Sequence, residues 1–156
     1  MNNNIKQIIS KLREKKIILS IAESCTGGML SQSITSISGS SEVFSFGVVT
    51  YSNQSKIKIL NVPKKIINKF GSVSRECCHA MLTGLAKKSN TKLNLTITGI
   101  AGPSGGTIKK PIGLVYIGIK KNKKIIINEY LFKNKKREEI RRKSVQEALK
   151  LIKKII

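Results

Sequence analysis

The sequence predicts a three-layer α/β/α fold with a mixed β-sheet, in one domain spanning residues 1–156. Three observations carry this. Short apolar runs of strand length alternate with stretches of helical apolar spacing, the pattern of strand–helix units. Two further strand-like runs flank Lys121-Asn122-Lys123, a polar turn that pairs them as an antiparallel hairpin. The 156 residues show no repeat, linker or low-complexity arm, and they suffice to bury one core.

Ile5, Ile8, Ile9 and Leu12 recur at helical spacing, so residues 3–15 read as an amphipathic helix. Lys16–Ile21 reads as a buried strand. Gly27-Gly28 then permits a tight turn into a helix from Met29 to Ile37. Val43–Tyr51, rich in Val and Phe, is the second strand, and Gln54–Leu60 the next helix. Pro63 suits the start of a short helix. Ser74 reads as the N-cap of a helix running to Lys88, with Glu76 in its first turn. Leu93–Thr98 is the third strand, followed by a long loop closing at Pro111. Gly113–Lys120 and Lys124–Phe132 form the hairpin. Glu138–Ile155 closes the chain as a helix with Ile140, Val145, Ala148, Leu149 and Ile152 on one side.

Composition restricts the chemistry. The chain has no aspartate and one histidine, His79, so a Ser-His-Asp triad cannot be assembled. A zinc site needs three or four N, S or O ligands, which one His and eight Glu are badly placed to give, and carboxylate-rich magnesium or calcium sites are equally disfavoured. Three cysteines, two of them adjacent, make no disulfide framework. With no apolar run of membrane-spanning length and no signal-peptide pattern, the expected setting is the reduced cytoplasm, away from membranes.

The net charge of +22 raises the question of nucleic acid. Against it, Lys (25) far exceeds Arg (5), Ile and Asn are abundant as in AT-rich coding, and aromatics do not interleave with the basic runs. The charge reads as a solvated, compositionally biased surface that draws in anionic small molecules.

Three clusters of glycines and hydroxyls carry what chemistry remains. Ala22-Glu23-Ser24-Cys25-Thr26-Gly27-Gly28 follows a strand and precedes a helix, so its amides could meet an anion; it is neither a Walker A loop nor GxGxxG. Glu23 and Ser24 stand at the strand's C-terminal end, where open α/β sheets place ligands. In the second cluster, Ser41 precedes a strand while Tyr51 and Lys56 follow it, so spacing alone does not unite them. A lysine of lowered pKa, or a tyrosine, can serve as base to a serine when histidine is missing. The third cluster, Thr98-Gly99-Ile100-Ala101-Gly102-Pro103-Ser104-Gly105-Gly106, is costly to order unless close backbone approach is needed, and reads as a ligand or oxyanion loop. His79 is read as a packed or surface residue on its helix, and Cys25 as a small packing residue near the site.

Taken together and in this order, the clusters resemble the CinA C-terminal domain family, whose members are nicotinamide-nucleotide amidases. The matching stretches are Ala22–Gly28, Ile37–Ser41, Gly47–Asn53 with Lys56, Gly71–Ser74, and Thr98–Gly113 ending in Lys110-Pro111-Ile112-Gly113. The resemblance implies hydrolysis of the carboxamide of nicotinamide mononucleotide to nicotinate mononucleotide and ammonia, without metal or cofactor. It implies Ser41 as nucleophile, Lys56 as its base and Tyr51 as proton relay or support. Ser24 is the competing nucleophile, or otherwise orients the amide with Glu23. Substrate would be held by Glu23, Thr26, Gly27, Gly28, Thr98, Gly99, Gly102, Gly105, Gly106 and Arg141, the phosphate meeting Thr26–Gly28, the third loop or Arg141. A homodimer is a family-level expectation. One departure stands out: the family's Phe-x-Gly-Asp-Arg stretch here reads Phe132-Lys133-Asn134-Lys135-Lys136-Arg137. That departure and the charge support an alternative from another class, a non-catalytic nucleotide- or nucleic-acid-binding module on the same scaffold.

Overall fold

The computed structural model describes residues 2–156. In chain order the elements are α1 (Asn2–Glu14), β1 (Leu19–Glu23), α2 (Met29–Thr35), a 3-10 turn (Ser40–Glu42), β2 (Phe44–Val49), α3 (Asn53–Leu60), α4 (Lys64–Phe70), α5 (Arg75–Ser89), β3 (Leu93–Gly99), β4 (Leu114–Lys121), β5 (Lys124–Leu131) and α6 (Arg137–Ile155). The strands form one mixed sheet in the order β2-β1-β3-β4-β5. β1 runs parallel to both β2 and β3, whereas β4 is antiparallel to β3 and to β5. This is the predicted three-layer α/β/α arrangement.

Each layer follows from where the apolar side chains fall. Ile5, Ile8, Ile9 and Leu12 of α1 are buried with Ile140, Val145, Ala148, Leu149 and Ile152 of α6 and with Leu30 and Ile34 of α2 on one face. On the other face Leu60, Val62, Ile67, Cys77, Met81 and Leu85 join α3, α4 and α5. β1 lies between both layers and is buried at every residue, as a parallel strand covered on both faces must be. β2 at the sheet edge alternates instead between half-buried and exposed.

The predicted boundaries hold to within a few residues, with one informative shift at β1. It begins at Leu19 rather than Lys16, because Lys16 takes a left-handed φ of 52° and its neighbour Ile17 donates its N–H back to Leu12 O, ending α1. The expected hairpin forms around Asn122, also at positive φ. Ser74 caps α5 as expected, its hydroxyl accepting the Cys77 N–H at 3.1 Å. Among the described residues no helix is long and apolar enough to cross a membrane.

Two edges of the sheet differ in character. The C-terminal ends of β1, β2 and β3 lie together: Glu23 pairs with Val49 on one side and Ile97 on the other, so Ser24, Thr50 and Thr98 stand in a row. The chain leaves β1 for β2 on one side while β3 lies on the other, which makes the β1–β3 crevice a topological switch point. At the opposite edge the ends of α1, α5 and α6 meet the β4–β5 hairpin. Lys121 Nζ donates to Ile155 O at 2.7 Å, Lys15 Nζ donates to Ile156 O, and Asn122 N–H reaches Lys92 O at 3.1 Å. Lysines scattered through the sequence thus gather at this second edge.

Candidate active site

A cavity of about 300 Å³ opens at the β1–β3 switch point. Its walls come from four segments: Ser24 and Cys25 after β1, Tyr51 and Lys56 after β2, Ser72 and Val73 before α5, and residues between Thr98 and Gly105 at the end of β3 and in the loop beyond it, with Arg137 closing one side. Loops beyond the C-terminal ends of parallel strands converge here because the strands share direction while their connections diverge.

Lys56 is the most unusual side chain in the molecule. It is 1% exposed, and its Nζ sits 2.9 Å from Ser24 Oγ, 2.8 Å from Thr50 O and 3.4 Å from Tyr51 O. The reason is local. Ser52 and Ser55 form a reciprocal capping box that starts α3, which puts Lys56 one turn in, over the carbonyls that end β2. No carboxylate pairs with Lys56 among the described residues. Burial therefore pushes its pKa below the usual lysine value, opposed only by the nearby Cys77 and Cys25 thiols. A neutral amine in this position can donate to two carbonyls and turn its lone pair to the Ser24 hydroxyl.

The structure corrects the expected pairing of Ser41 with Lys56. Ser41 lies in the 3-10 turn before β2 and Lys56 follows its far end, so the six residues of β2, roughly 20 Å of extended chain, separate them. Ser24 takes that place. Tyr51 lines the cavity but is 59% exposed, and its phenol oxygen accepts a bond of 2.9 Å from Arg137 Nη2 rather than touching Ser24 or Lys56. The geometry gives it no relay position.

Glu23 is likewise reassigned. It is fully buried, and its carboxylate accepts the N–H groups of Gly28, Leu30 and Ser31 at 3.1, 3.0 and 2.8 Å and the Ser31 hydroxyl at 2.7 Å. It caps α2 with its own negative charge, complementing the helix dipole. The donors of Gly28 that a substrate phosphate was expected to use are thereby occupied. Thr26 is wholly buried, and Gly27 and Gly28 lie outside the cavity wall. Arg141 holds Thr26 O at 2.8 Å from beneath the loop and does not reach the cavity. Gly106 packs against Ile112 and Pro111 instead of the cavity. Thr98, Gly99, Gly102 and Gly105 do line it, with Thr98 Oγ1 donating to Ser72 O at 2.8 Å.

Two groups outside the residues assigned to the site from sequence, Arg137 and the Ser72-Val73 pair, belong to the wall, and the third loop brings the free amides expected of an oxyanion loop. Arg137 donates from Nη1 to Gly102 O at 2.7 Å while its Nη2 meets Tyr51, so it ties the second and third clusters together. The altered residues 133–135 line a separate surface groove, and Arg137 keeps its place despite them. Ser72 and Val73 come from a segment that carried no chemical signal beyond Gly71 and Ser74. The amides of Ala101, Gly102, Ser104 and Gly105 make no hydrogen bond within the described residues, and these residues line the cavity together with Ser24, which leaves donors for an oxygen that develops charge. Cys25 is buried, and desolvation pushes its thiol up to about 12, so it packs here as a neutral group. His79 is exposed on α5, outside this cavity. Among the described residues no three of His, Cys, Asp or Glu gather to hold a metal ion.

The sequence model described as the CinA C-terminal domain matches residues 2–156. The chain belongs to the CinA C-terminal domain family. A CinA-like protein of Kosmotoga olearia is 41% identical over 149 residues, covering 96% of this chain and 36% of that protein. A CinA-like protein of Dictyoglomus turgidum is 49% identical over 112 residues, 72% of this chain and 27% of its own length. The chain spans little more than a third of the length of the curated relatives it matches over nearly its whole extent. Among solved structures, the competence/damage inducible protein CihA of Agrobacterium tumefaciens superposes with a TM-score of 0.94 at 36% identity, over 97% of this chain and 92% of that one. A competence-damaged protein (CinA) superfamily protein of Escherichia coli gives 0.95 at 26% identity, over 99% and 90%. The CinA fold thus extends across the whole described chain.

Proposed function

We propose that this CinA domain is a cytoplasmic amidase that hydrolyses the carboxamide of nicotinamide mononucleotide, with Ser24 as nucleophile and Lys56 as its base. The observation that carries the reading is the 2.9 Å contact between Ser24 Oγ and a buried, carboxylate-free lysine amine at the floor of a polar cavity. Burial disfavours the ammonium form, so the amine can take the serine proton as Oγ attacks the amide carbon. The tetrahedral oxyanion is met by free loop amides. Lys56 returns its proton to the departing nitrogen, the C–N bond breaks, and ammonia leaves. Water, deprotonated by the same amine, then hydrolyses the Ser24 ester to the carboxylate and restores the hydroxyl. Nothing in this sequence asks for histidine or aspartate.

Ammonia release from nicotinamide mononucleotide, measured with chelator present, tests the proposal. Ser24→Ala should lose activity by about 10³-fold or more while staying folded, and Ser41→Ala should stay within about twofold of wild type. The reverse result would return the role to Ser41.

The basic second edge favours another reading, a nucleic-acid-binding module. Lys15, Lys16, Lys92, Lys123, Lys124, Lys153 and Lys154 are exposed there, at the edge opposite the cavity. DNA binding that falls steeply and linearly with log salt, and that is lost on charge reversal at Lys123 and Lys124, would support it. Binding indifferent to those two residues would reduce it to diffuse charge.

A further inference from the structure

Lys110 belongs to the Lys110-Pro111-Ile112-Gly113 stretch, which the amidase chemistry does not use, and it lies outside the cavity wall. Its side chain nevertheless crosses to a segment that forms that wall. Lys110 Nζ donates to Val73 O at 2.7 Å and to Phe70 O. Phe70 is the last residue of α4, so the lysine's positive charge sits on carbonyls left open at a helix C-terminus, where a cation is favoured. The lysine is itself held in place, because Thr107 N–H donates to Lys110 O at 2.8 Å and Thr107 Oγ1 accepts the Lys110 N–H at 3.0 Å.

The segment it grips, Gly71–Val73, joins α4 to α5 and supplies Ser72 and Val73 to the cavity. Gly71 adopts φ +80°, and a Cβ there would stand 2.8 Å from Lys110 Nζ, so this position needs both the backbone freedom and the bare space of glycine. A second tie comes from Thr98, whose hydroxyl holds Ser72 O. Four consecutive residues, 70–73, thus have three of their carbonyls bound from the β3–β4 connection or the end of β3.

We propose that Lys110 is a positioning residue for substrate: it clamps the Gly71–Val73 segment so that Ser72 and Val73 present a fixed wall opposite the third loop. This rests on the amidase reading of the cavity. Lys110 touches neither Ser24 nor Lys56, so its loss should loosen the fit of substrate while leaving the reacting pair intact.

Lys110→Met, which keeps the chain length and removes the donor, should raise KM for nicotinamide mononucleotide about tenfold, the lower range for one charge-assisted hydrogen bond, and leave kcat within about twofold. Hydrogen exchange should quicken at Gly71, Cys77 and Cys78, whose amides close onto this junction, and not in β1 or β3. Lys110→Arg should restore both. Unchanged exchange at these amides, or a fall in kcat with KM unmoved, would overturn the proposal. If the methionine variant fails to fold, Gly71→Ala decides, since it crowds the same contact from the other side and should give the same KM rise and local exchange. A wild-type protein that releases no ammonia would refute the amidase reading, while the exchange measurement still tests the clamp by itself.

Discussion

Replacing Lys56 by methionine should separate what its amine does for catalysis from what it does to stability. Methionine matches the unbranched stem, so the packing around a side chain that is 1% exposed is nearly conserved. Removing a general base costs about 10²–10⁴-fold in kcat/KM, or roughly 3–5.5 kcal/mol. Stability changes in two opposing ways. Thr50 O loses its 2.8 Å donor, and a buried carbonyl left without a partner costs about 1–3 kcal/mol. Against that, the variant no longer buries a charge. The balance depends on pH in a calculable direction. Burial lowers the Lys56 pKa in the folded chain, whereas the unfolded chain titrates near the ordinary lysine value of 10.5. Between those two values the unfolded state holds the additional proton, so wild-type stability rises with pH through that window. Below it both states are protonated and the fold carries the full cost of the buried charge. The methionine variant lacks this titration, so wild type should gain on it between pH 7 and pH 10. The assays are urea denaturation of both proteins at the two pH values and ammonia release from pH 6 to 10, where wild-type kcat/KM should rise as the amine loses its proton. A variant retaining more than about a tenth of wild-type kcat/KM, or a stability gap that does not change with pH, would refute the reasoning.

Other predictions concern the scaffold beneath the site. Glu23→Gln keeps the shape but exchanges one acceptor oxygen for a donor facing the Gly28 and Leu30 N–H groups, and should destabilise by about 2–3 kcal/mol in urea denaturation. Its loss of activity should follow the displacement of the Ser24 loop and not a change in the pH profile. Gly84→Ala should cost at least about 2–3 kcal/mol by the same measurement, because its Cβ would fall 1.8 Å from Leu60 O where α5 crosses the end of α3. Iodoacetamide at pH 8 should leave activity intact, since burial raises the thiol of Cys77 and brings those of Cys25 and Cys78 to about 12, keeping all three protonated.

The elements themselves were legible because their signals are local. The spacing of Ile5, Ile8, Ile9 and Leu12 marks one helix face, Ser74 marks a cap, and Lys121-Asn122-Lys123 marks a hairpin, each within a few residues of the chain. The strand boundary at Lys16 was misread because a positive-φ cap depends on backbone geometry that a lysine does not announce. The placement of Glu23 and Ser41 is hidden from the sequence for a different reason. A carboxylate at the end of a strand looks the same in sequence whether it faces a ligand or turns back to cap the next helix. Ser41 and Ser24 both sit among glycines and hydroxyls, and only the direction of β2 decides which one shares an edge with Lys56.

From the sequence alone, the absence of aspartate and the single histidine already confine any hydrolytic chemistry to hydroxyls, amides, Lys and Glu, and the three clusters in their order already mark the family. These are properties of composition and of short runs, which need no folding to be read. The pairing of Ser24 with Lys56, 32 residues apart, the closing of the cavity by Arg137 and the clamp of Lys110 on the segment before α5 were decided only by the tertiary structure. The parallel register of β1, β2 and β3 brings their C-terminal ends to one edge, and burial there turns one of 25 ordinary lysines into a group of lowered pKa.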